Sequence, residues 1–129
     1  MEGRVALGKH VIAEIWVKDR RRLNDLDSLR ESLLSAADRG GFSVVDVLMH
    51  KFSPHGITGV VLLSESHMSI HTWPEHLYAA VDIFTCGGAP WAALEELERR
   101  LDVEHMEVRE LERGLVGQAE PREAHPVGG

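Results

Sequence analysis

The chain has 129 residues, of which 43% are hydrophobic and 27% charged, values typical of one globular domain with its own core. Its 21 acidic residues outnumber its 14 basic ones to give a net charge of -7, and no Lys/Arg block could line phosphates, so nucleic acid is not an expected partner. The single cysteine cannot form an internal disulfide, and the N-terminal segment lacks the apolar run of a signal peptide or membrane span. We therefore expect a protein of the reducing cytoplasm with no membrane partner.

The first part of the chain predicts one strand followed by one helix. Residues 9–17 are rich in β-branched and aromatic side chains, which suit the pleated surface of a strand. Apolar side chains then recur at helical spacing at Leu23, Leu26, Leu29, Leu33 and Ala37. Gly40 and Gly41 follow as residues that commonly end helices, so a helix is predicted over residues 24–39.

The middle of the chain predicts four strands with short connections. β-branched and apolar residues concentrate in four segments, residues 42–52, 57–64, 67–73 and 77–86. The first two are joined by a turn that contains Pro54 and Gly56, and Pro74 separates the last two because a central strand does not tolerate proline. Connections this short pair consecutive strands in antiparallel fashion.

A second helix and a last strand complete the predicted domain. Pro90 suits the first turn of a helix, and it precedes an apolar stripe of Trp91, Leu94, Leu97 and Leu101. Residues 103–111 alternate as a strand does. Residues 114–129 combine Gly, Pro and charge without a period, so we predict a single domain over residues 1–113 and a mobile C-terminal tail over residues 114–129.

The predicted order of elements, β-α-β-β-β-β-α-β, favours the α+β class. The most economical arrangement is a two-layer sandwich, with a mostly antiparallel sheet and two helices on one face. The second face of the sheet then has no helical cover. Because an uncovered apolar sheet face usually packs on another sheet, we expect a homodimer that forms through the sheet.

Residues 64–75 (SESHMSIHTWPE) crowd hydroxyl, imidazole and carboxylate groups among apolar residues, which a purely structural strand does not require. Metal binding is one interpretation, since His67 and His71 are four residues apart and would share one face of a helix. Thr72 and Pro74 indicate a strand instead, in which the two Cα atoms lie about 13 Å apart, too far to share one ion. We therefore predict no metal site.

A serine hydrolase is a second interpretation of the same stretch. It needs a hydroxyl activated by an imidazole and a carboxylate that orients the imidazole, and Ser66, His71 and Asp82 supply these groups. No nucleophile elbow of the G-x-S-x-G type surrounds Ser66, so this interpretation is weaker than the one that follows.

A third interpretation rests on resemblance. Residues 64–67 (SESH), 70–75 (IHTWPE) and 78–87 (YAAVDIFTCG), in this order, are similar to the processing-site region of prokaryotic S-adenosylmethionine decarboxylases, which are pyruvoyl-dependent. The similarity extends from Gly8 to Gly114. It implies a self-cleaving enzyme that converts S-adenosylmethionine into its decarboxylated form, the aminopropyl donor for spermidine and other polyamines.

The resemblance implies that the cofactor is made from the chain itself. Ser66 Oγ attacks the carbonyl of Glu65 to form an ester, elimination leaves dehydroalanine at position 66, and hydrolysis converts that residue into a pyruvoyl group. One product ends at Glu65 and the other begins with the pyruvoyl group. This ketone condenses with the substrate amine and accepts electrons from the breaking Cα–carboxylate bond, so no diffusible cofactor is needed.

The resemblance also implies the residues that assist this chemistry. His71 is the base in processing, because imidazole titrates near neutrality, although by itself it would be interpreted as a sheet histidine. Cys86 returns a proton to the decarboxylated carbon, although by itself it would be interpreted as a small buried residue. Thr58 stands where the family commonly has a serine that assists processing, and it keeps the hydroxyl but adds a methyl group that stiffens the rotamer.

The resemblance assigns substrate contacts to three further side chains. Phe52 stacks on adenine and Glu75 holds the ribose hydroxyls, and an aromatic plane and a carboxylate are suited to a nucleoside that carries a sulfonium. Trp73 is a further stacking candidate that packing alone would also explain.

Two rival functions remain open at this stage. A pyruvoyl decarboxylase of the same fold could act on arginine or ornithine, and Phe52 and Glu75 argue against this. A non-catalytic homologue could regulate a partner decarboxylase, and the intact Ser66, His71 and Cys86 argue against that.

The expected dimer bears directly on the site. Five residues of extended strand span about 16 Å, so Ser66 can hardly reach His71 of its own chain. The resemblance places the sites at a dimer interface. We therefore expect Ser66 and Cys86 of one protomer to work with four residues of the other, namely Phe52, Thr58, His71 and Glu75.

Overall fold

The computed structural model describes residues 4–117 of the chain. The predicted order of strands and helices is confirmed, with 3-10 helices added at Arg20–Leu23 and Pro74–His76. The helices are α1 (Leu26–Arg39) and α2 (Pro90–Arg100). The strands are β1 (Arg4–Val17), β2 (Val44–Lys51), β3 (Ile57–Leu63), β4 (His67–Trp73), β5 (Tyr78–Thr85) and β6 (Val103–Gly117).

The strands form one six-stranded antiparallel sheet in the order β2-β3-β4-β5-β1-β6. The predicted α+β class is therefore confirmed. β1 begins earlier and β6 ends later than the sequence predicts, because backbone pairing continues out to Arg4 and Gly117 without the alternation that marks a half-buried strand. Residues 114–117 thus belong to β6, and residues 118–129 of the predicted tail lie outside the described residues.

Helix α1 begins two residues later than predicted. The apolar spacing continues back through Leu23, but that residue belongs to the preceding 3-10 helix. Asp25 then interrupts the helical backbone in an extended conformation, and its side chain accepts a hydrogen bond from the Ser28 backbone N–H at 2.9 Å. This N-cap fixes the start of α1 at Leu26.

The core lies between the two helices and one face of the sheet. Alternate residues of each inner strand are buried there, as Val11, Ala13 and Ile15 are in β1. Helices α1 and α2 contribute the apolar stripes predicted from their spacing, and they also share a polar contact. Glu96 of α2 is 4% exposed and accepts hydrogen bonds from Ser35 of α1 and from its own neighbours Arg99 and Arg100.

The opposite face of the sheet, here called the open face, has no helix packed on it within residues 4–117. Its side chains are partly exposed in every inner strand. Four aromatic rings form a row across four neighbouring strands, with successive centroids 5.3, 5.4 and 5.4 Å apart, in the order His105, Trp16, Tyr78 and Trp73. None of the helices in the described part of the chain is long and apolar enough to cross a membrane.

Candidate active site

The peptide bond between Glu65 and Ser66 lies in the tight turn that joins β3 to β4. The Leu63 backbone N–H donates to the Ser66 carbonyl at 2.9 Å, so Ser64 and Glu65 form a two-residue loop. Glu65 is exposed and Ser66 is partly exposed, whereas Leu63 and Met68 on either side are buried in the core. The bond is therefore accessible and lies outside the regular ladder of sheet hydrogen bonds.

Cys86 lies beside this bond, as the sequence interpretation expects. It follows the end of β5, and its backbone N–H donates to Ser66 Oγ at 3.3 Å. Its thiol sulfur lies 3.4 Å from the carbonyl oxygen of Glu65 and donates a hydrogen bond to it. An attack on that carbonyl would place negative charge on the oxygen that the thiol contacts, so the contact favours such an attack.

The loop that carries Cys86 is fixed by the chain that follows α1. Gly88 has φ +71°, and a Cβ at this position would lie 2.5 Å from the Phe42 ring and 2.9 Å from the carbonyl oxygen of Gly40. Only glycine fits there without displacement. The Ala89 backbone N–H also donates to the Gly40 carbonyl at 2.9 Å. The loop thereby forms one wall of a shallow cavity of about 230 Å³ that Glu65 and Ser66 also line.

His71 and Thr58 form a second cluster on the open face. They are directly opposite each other in the β3–β4 pairing, and Thr58 Oγ1 and His71 Nδ1 are hydrogen-bonded at 3.0 Å. Both side chains are partly exposed. The Thr58 hydroxyl is therefore in a position to fix the orientation of the imidazole.

The two clusters are separate within one chain. β4 pairs with β5 in unbroken register from His67 to Trp73, so it is extended along its whole length. Ser66 directly precedes this strand, and its Cα lies about 16 Å from that of His71 at the usual rise per residue. The separation agrees with the sequence-based expectation that these residues do not meet in one chain.

The serine hydrolase and metal interpretations gain no support from the geometry. Asp82 lies with its Oδ1 2.9 Å from His10 Nε2 and accepts from Ser69 at 3.5 Å, so it orients a histidine other than His71. No group of three metal-ligating side chains occurs in the part of the chain that was described. His67 and His71 lie on one strand, as predicted, and not on a helix.

The proposed substrate residues lie at the end of the strands opposite to Ser66, where β2 and β4 end. Phe52 follows β2 and its side chain is 49% exposed, while Glu75 lies in the 3-10 helix Pro74–His76. The pKa of Glu75 is lowered, chiefly by its own backbone N–H and further by the imidazole of His55, so the carboxylate is ionised at neutral pH. Trp73 stacks on Tyr78 at 5.4 Å and 30°, which fits a packing role.

His55 was not identified from the sequence as a site residue. Its Nε2 lies 3.0 Å from Glu75 Oε1. The available signal was topological: in an antiparallel meander the β2–β3 turn and the β4–β5 connection lie at the same end of the strands. A residue in the first of these connections is therefore a natural neighbour of a residue in the second.

A family profile and two individual relatives identify the same family of proteins. The sequence profile of the family described as S-adenosylmethionine decarboxylase matches residues 9–114. A protein named S-adenosylmethionine decarboxylase proenzyme from Pelotomaculum thermopropionicum is 49% identical over 112 residues, which cover 85% of this chain and 89% of that protein. Another of the same name from Methanococcus maripaludis is 44% identical over 119 residues, 91% of this chain and 98% of that one.

A solved structure agrees in fold as well as in sequence. The crystal structure of the adenosylmethionine decarboxylase from Aquifex aeolicus superimposes with a TM-score of 0.82 at 34% identity. The match covers 91% of this chain and 98% of that chain.

Proposed function

The chain belongs to the S-adenosylmethionine decarboxylase family, and on this basis we propose that it cleaves itself between Glu65 and Ser66 and then decarboxylates S-adenosylmethionine. The product is the aminopropyl donor for spermidine and other polyamines. The observation that carries the proposal is the contact of Cys86 with both sides of the Glu65–Ser66 bond, to Ser66 Oγ at 3.3 Å and to the Glu65 carbonyl oxygen at 3.4 Å.

Self-cleavage begins when Ser66 Oγ attacks the Glu65 carbonyl carbon. The hydroxyl proton leaves, the peptide C–N bond breaks as the ester bond forms, and the freed nitrogen of residue 66 takes up a proton. A base then removes the α-proton of residue 66, and the Glu65 carboxylate departs to leave dehydroalanine. Addition of water and loss of ammonia convert this residue into the pyruvoyl group. We assign His71 as the base that removes the α-proton.

The surroundings of residue 66 fit a pyruvoyl group. Its carbonyl remains bonded to the nitrogen of His67 after cleavage, so the hydrogen bond from the Leu63 N–H can persist. Both new ends lie in an exposed turn, and the flanking strands stay paired through the sheet. When formed, the ketone supplies an electron sink for the breaking Cα–carboxylate bond of the substrate. Cys86, already beside position 66, donates the proton that replaces the lost carboxylate.

Phe52 and Glu75 favour a nucleoside substrate over arginine or ornithine. The half-exposed Phe52 ring offers a flat apolar surface for adenine, and the ionised Glu75 carboxylate accepts hydrogen bonds from ribose hydroxyls. An amino acid without a nucleoside would leave both groups without a role. The anionic carboxylate and the aromatic face also suit the positive sulfonium.

A homodimer formed through the open face completes the proposed sites. Ser66 and Cys86 lie at one end of the strands, whereas Phe52 and Glu75 lie at the other end, so one chain cannot supply a whole site. Two sheets packed face to face about a two-fold axis perpendicular to the strands place one strand end of each chain beside the opposite strand end of its partner. The exposed aromatic row on the open face suits such packing.

The direct test of self-cleavage is the mass of the denatured protein. Two fragments separated after Glu65 support the proposal, and a single intact chain in active preparations contradicts it. Release of carbon dioxide from carboxyl-labelled S-adenosylmethionine, measured beside carboxyl-labelled arginine and ornithine, identifies the substrate. The reaction is expected to need a free Cys86 thiol, which agrees with the reducing cytoplasm as its location.

A further inference from the structure

His55 and Glu75 come from two different connections of the sheet and meet at one end of the strands. His55 lies in the β2–β3 turn, Glu75 lies in the 3-10 helix between β4 and β5, and Nε2 of the first is 3.0 Å from Oε1 of the second. Their side chains are 39% and 40% exposed, so a ligand can reach the pair.

The turn that carries His55 is held at three points. The Phe52 backbone N–H donates to the Gly56 carbonyl at 2.8 Å, and the Gly56 N–H donates to Asn24 Oδ1 at 3.1 Å. The Ile57 N–H donates at 2.8 Å to the buried Thr72 Oγ1, which belongs to the strand that leads to Glu75. The backbone of His55 is therefore fixed relative to that of Glu75.

The Glu75 carboxylate has more acceptor positions than the protein uses. An ionised carboxylate offers about four lone-pair positions. The imidazole of His55 lies 3.0 Å from one of the two carboxylate oxygens, Oε1. Acceptor positions therefore remain for the two neighbouring hydroxyls of a ribose.

We propose that His55 is a positioning residue that holds the Glu75 carboxylate in the orientation that binds the ribose hydroxyls. This inference rests on the proposed function, since it concerns how that site recognises its nucleoside substrate. Without His55 the exposed Glu75 side chain has several rotamers available, and binding must then select one of them. His55 thus acts on substrate binding and not on the reacting atoms.

The test compares four chains that self-cleave to the same extent. His55→Ala is expected to raise KM for S-adenosylmethionine about tenfold while kcat stays within about twofold, because only binding depends on the held carboxylate. His55→Gln keeps an N–H donor at similar reach and is expected to restore most of the lost affinity. His76→Ala is the matched control, because that neighbouring imidazole influences Glu75 through charge alone. An unchanged KM in His55→Ala, or an equal rise in His76→Ala, overturns the inference.

A second measurement isolates the ribose. With the 2′-deoxy analogue of S-adenosylmethionine, the KM penalty of His55→Ala is expected to shrink to less than about half of its value with the natural substrate, because one of the two hydroxyls is gone. If His55→Ala raises KM by the same factor with the 2′-deoxy analogue as with the natural substrate, the inference is contradicted. If His55→Ala fails to fold, His55→Asn replaces it, since its shorter amide does not reach Glu75. A failure of the proposed function is distinguishable, because the wild-type chain itself then neither cleaves nor releases carbon dioxide.

Discussion

The Cys86 thiol donates a hydrogen bond to the carbonyl oxygen of Glu65, 21 residues away along the chain, at 3.4 Å. The same cysteine donates its backbone N–H to Ser66 Oγ. Cys86 thus contacts both reacting groups of the proposed cleavage, the Glu65 carbonyl and the Ser66 hydroxyl, in the uncleaved chain.

Cys86→Ala is therefore expected to slow self-cleavage without abolishing it. A thiol is a weak donor, so its loss should reduce the cleavage rate about tenfold, which corresponds to an activation free energy higher by about 1.4 kcal/mol. This reduction is smaller than the one caused by the loss of a strong oxyanion donor. Cys86→Ser is the matched variant and should cleave faster than Cys86→Ala. Time courses of fragment appearance on denaturing gels measure both. If Cys86→Ala cleaves at the wild-type rate, the thiol does not assist processing.

The cleaved fraction of Cys86→Ala should decarboxylate poorly or place the new proton on the wrong atom. The reason is that the assigned proton donor acts only after carbon dioxide has left. Turnover of the purified, cleaved variant, with analysis of its product, measures this effect separately from processing. If the cleaved variant shows normal turnover and a normal product, Cys86 does not donate the proton after decarboxylation and only packs in the site.

Ser66→Ala is expected to give a folded, uncleaved and inactive chain. The hydroxyl is the attacking group, and its oxygen then departs with the Glu65 carboxylate to leave the dehydroalanine that water converts into the ketone; alanine can do neither. Ser64→Ala is the matched control, because it removes a hydroxyl from the same turn and should cleave normally. Denatured mass and decarboxylase activity are measured for both. The wild-type fragment that starts at position 66 should also resist N-terminal sequencing, since it has no free amine.

Thr58→Val is expected to slow self-cleavage strongly. Valine has the shape of threonine but cannot hydrogen-bond His71 Nδ1, so the imidazole loses its orientation. Thr58→Ser keeps the hydroxyl with a freer rotamer and should cleave at least as fast as the wild type. Equal cleavage rates in all three chains would show that the Thr58–His71 contact has no part in processing.

Glu96 links α1 to α2 and should make stability depend on acidic pH. Its pKa is lowered to about 2, chiefly by the Ser35 hydroxyl and then by Arg100 and Arg99. A carboxyl with a lowered folded pKa stabilises fully above its ordinary pKa of 4.5, and this stabilisation is lost as pH falls from there through about 2. Glu96→Gln should therefore lose stability at pH 6 but much less at pH 3. Urea midpoints in the uncleaved Ser66→Ala background measure this, with the exposed Glu98→Gln as control.

Much of the fold could be predicted because local patterns determine it. The inner strands alternate between a buried and a partly exposed side, and Pro90 and the Leu stripe mark α2, so these elements lie close to their predicted bounds. The ends of β1 and β6 could not be predicted, since their pairing to Arg4 and Gly117 depends on a partner strand about 100 residues away and not on local pattern.

The candidate site was predictable only in part. The Ser66–Cys86 pair follows from a motif that spans both residues, and the structure brings them together. His55 carries no motif of its own, and its significance depends on a contact between two connections that only the folded sheet brings together. Which chain supplies His71 to which Ser66 is likewise a property of assembly and not of local sequence.

The last prediction concerns which protomer supplies Ser66 and which supplies His71 to each site. Ser66 directly precedes the unbroken strand β4 and His71 lies five residues further along the chain, so a site that needs both must take them from different chains. Ser66→Ala and His71→Ala chains should each be inactive alone. In a mixed dimer, one site has both wild-type residues and the other has neither. The Ser66 that is cleaved then belongs to the His71→Ala chain, whose partner supplies the base.

Co-expression with two different affinity tags isolates the mixed dimer. Cleavage of only the His71→Ala chain is expected, with about half of the wild-type activity, because one of the two sites works. If pure mixed dimers form and stay uncleaved, the two residues act within one chain and β4 must bend during processing.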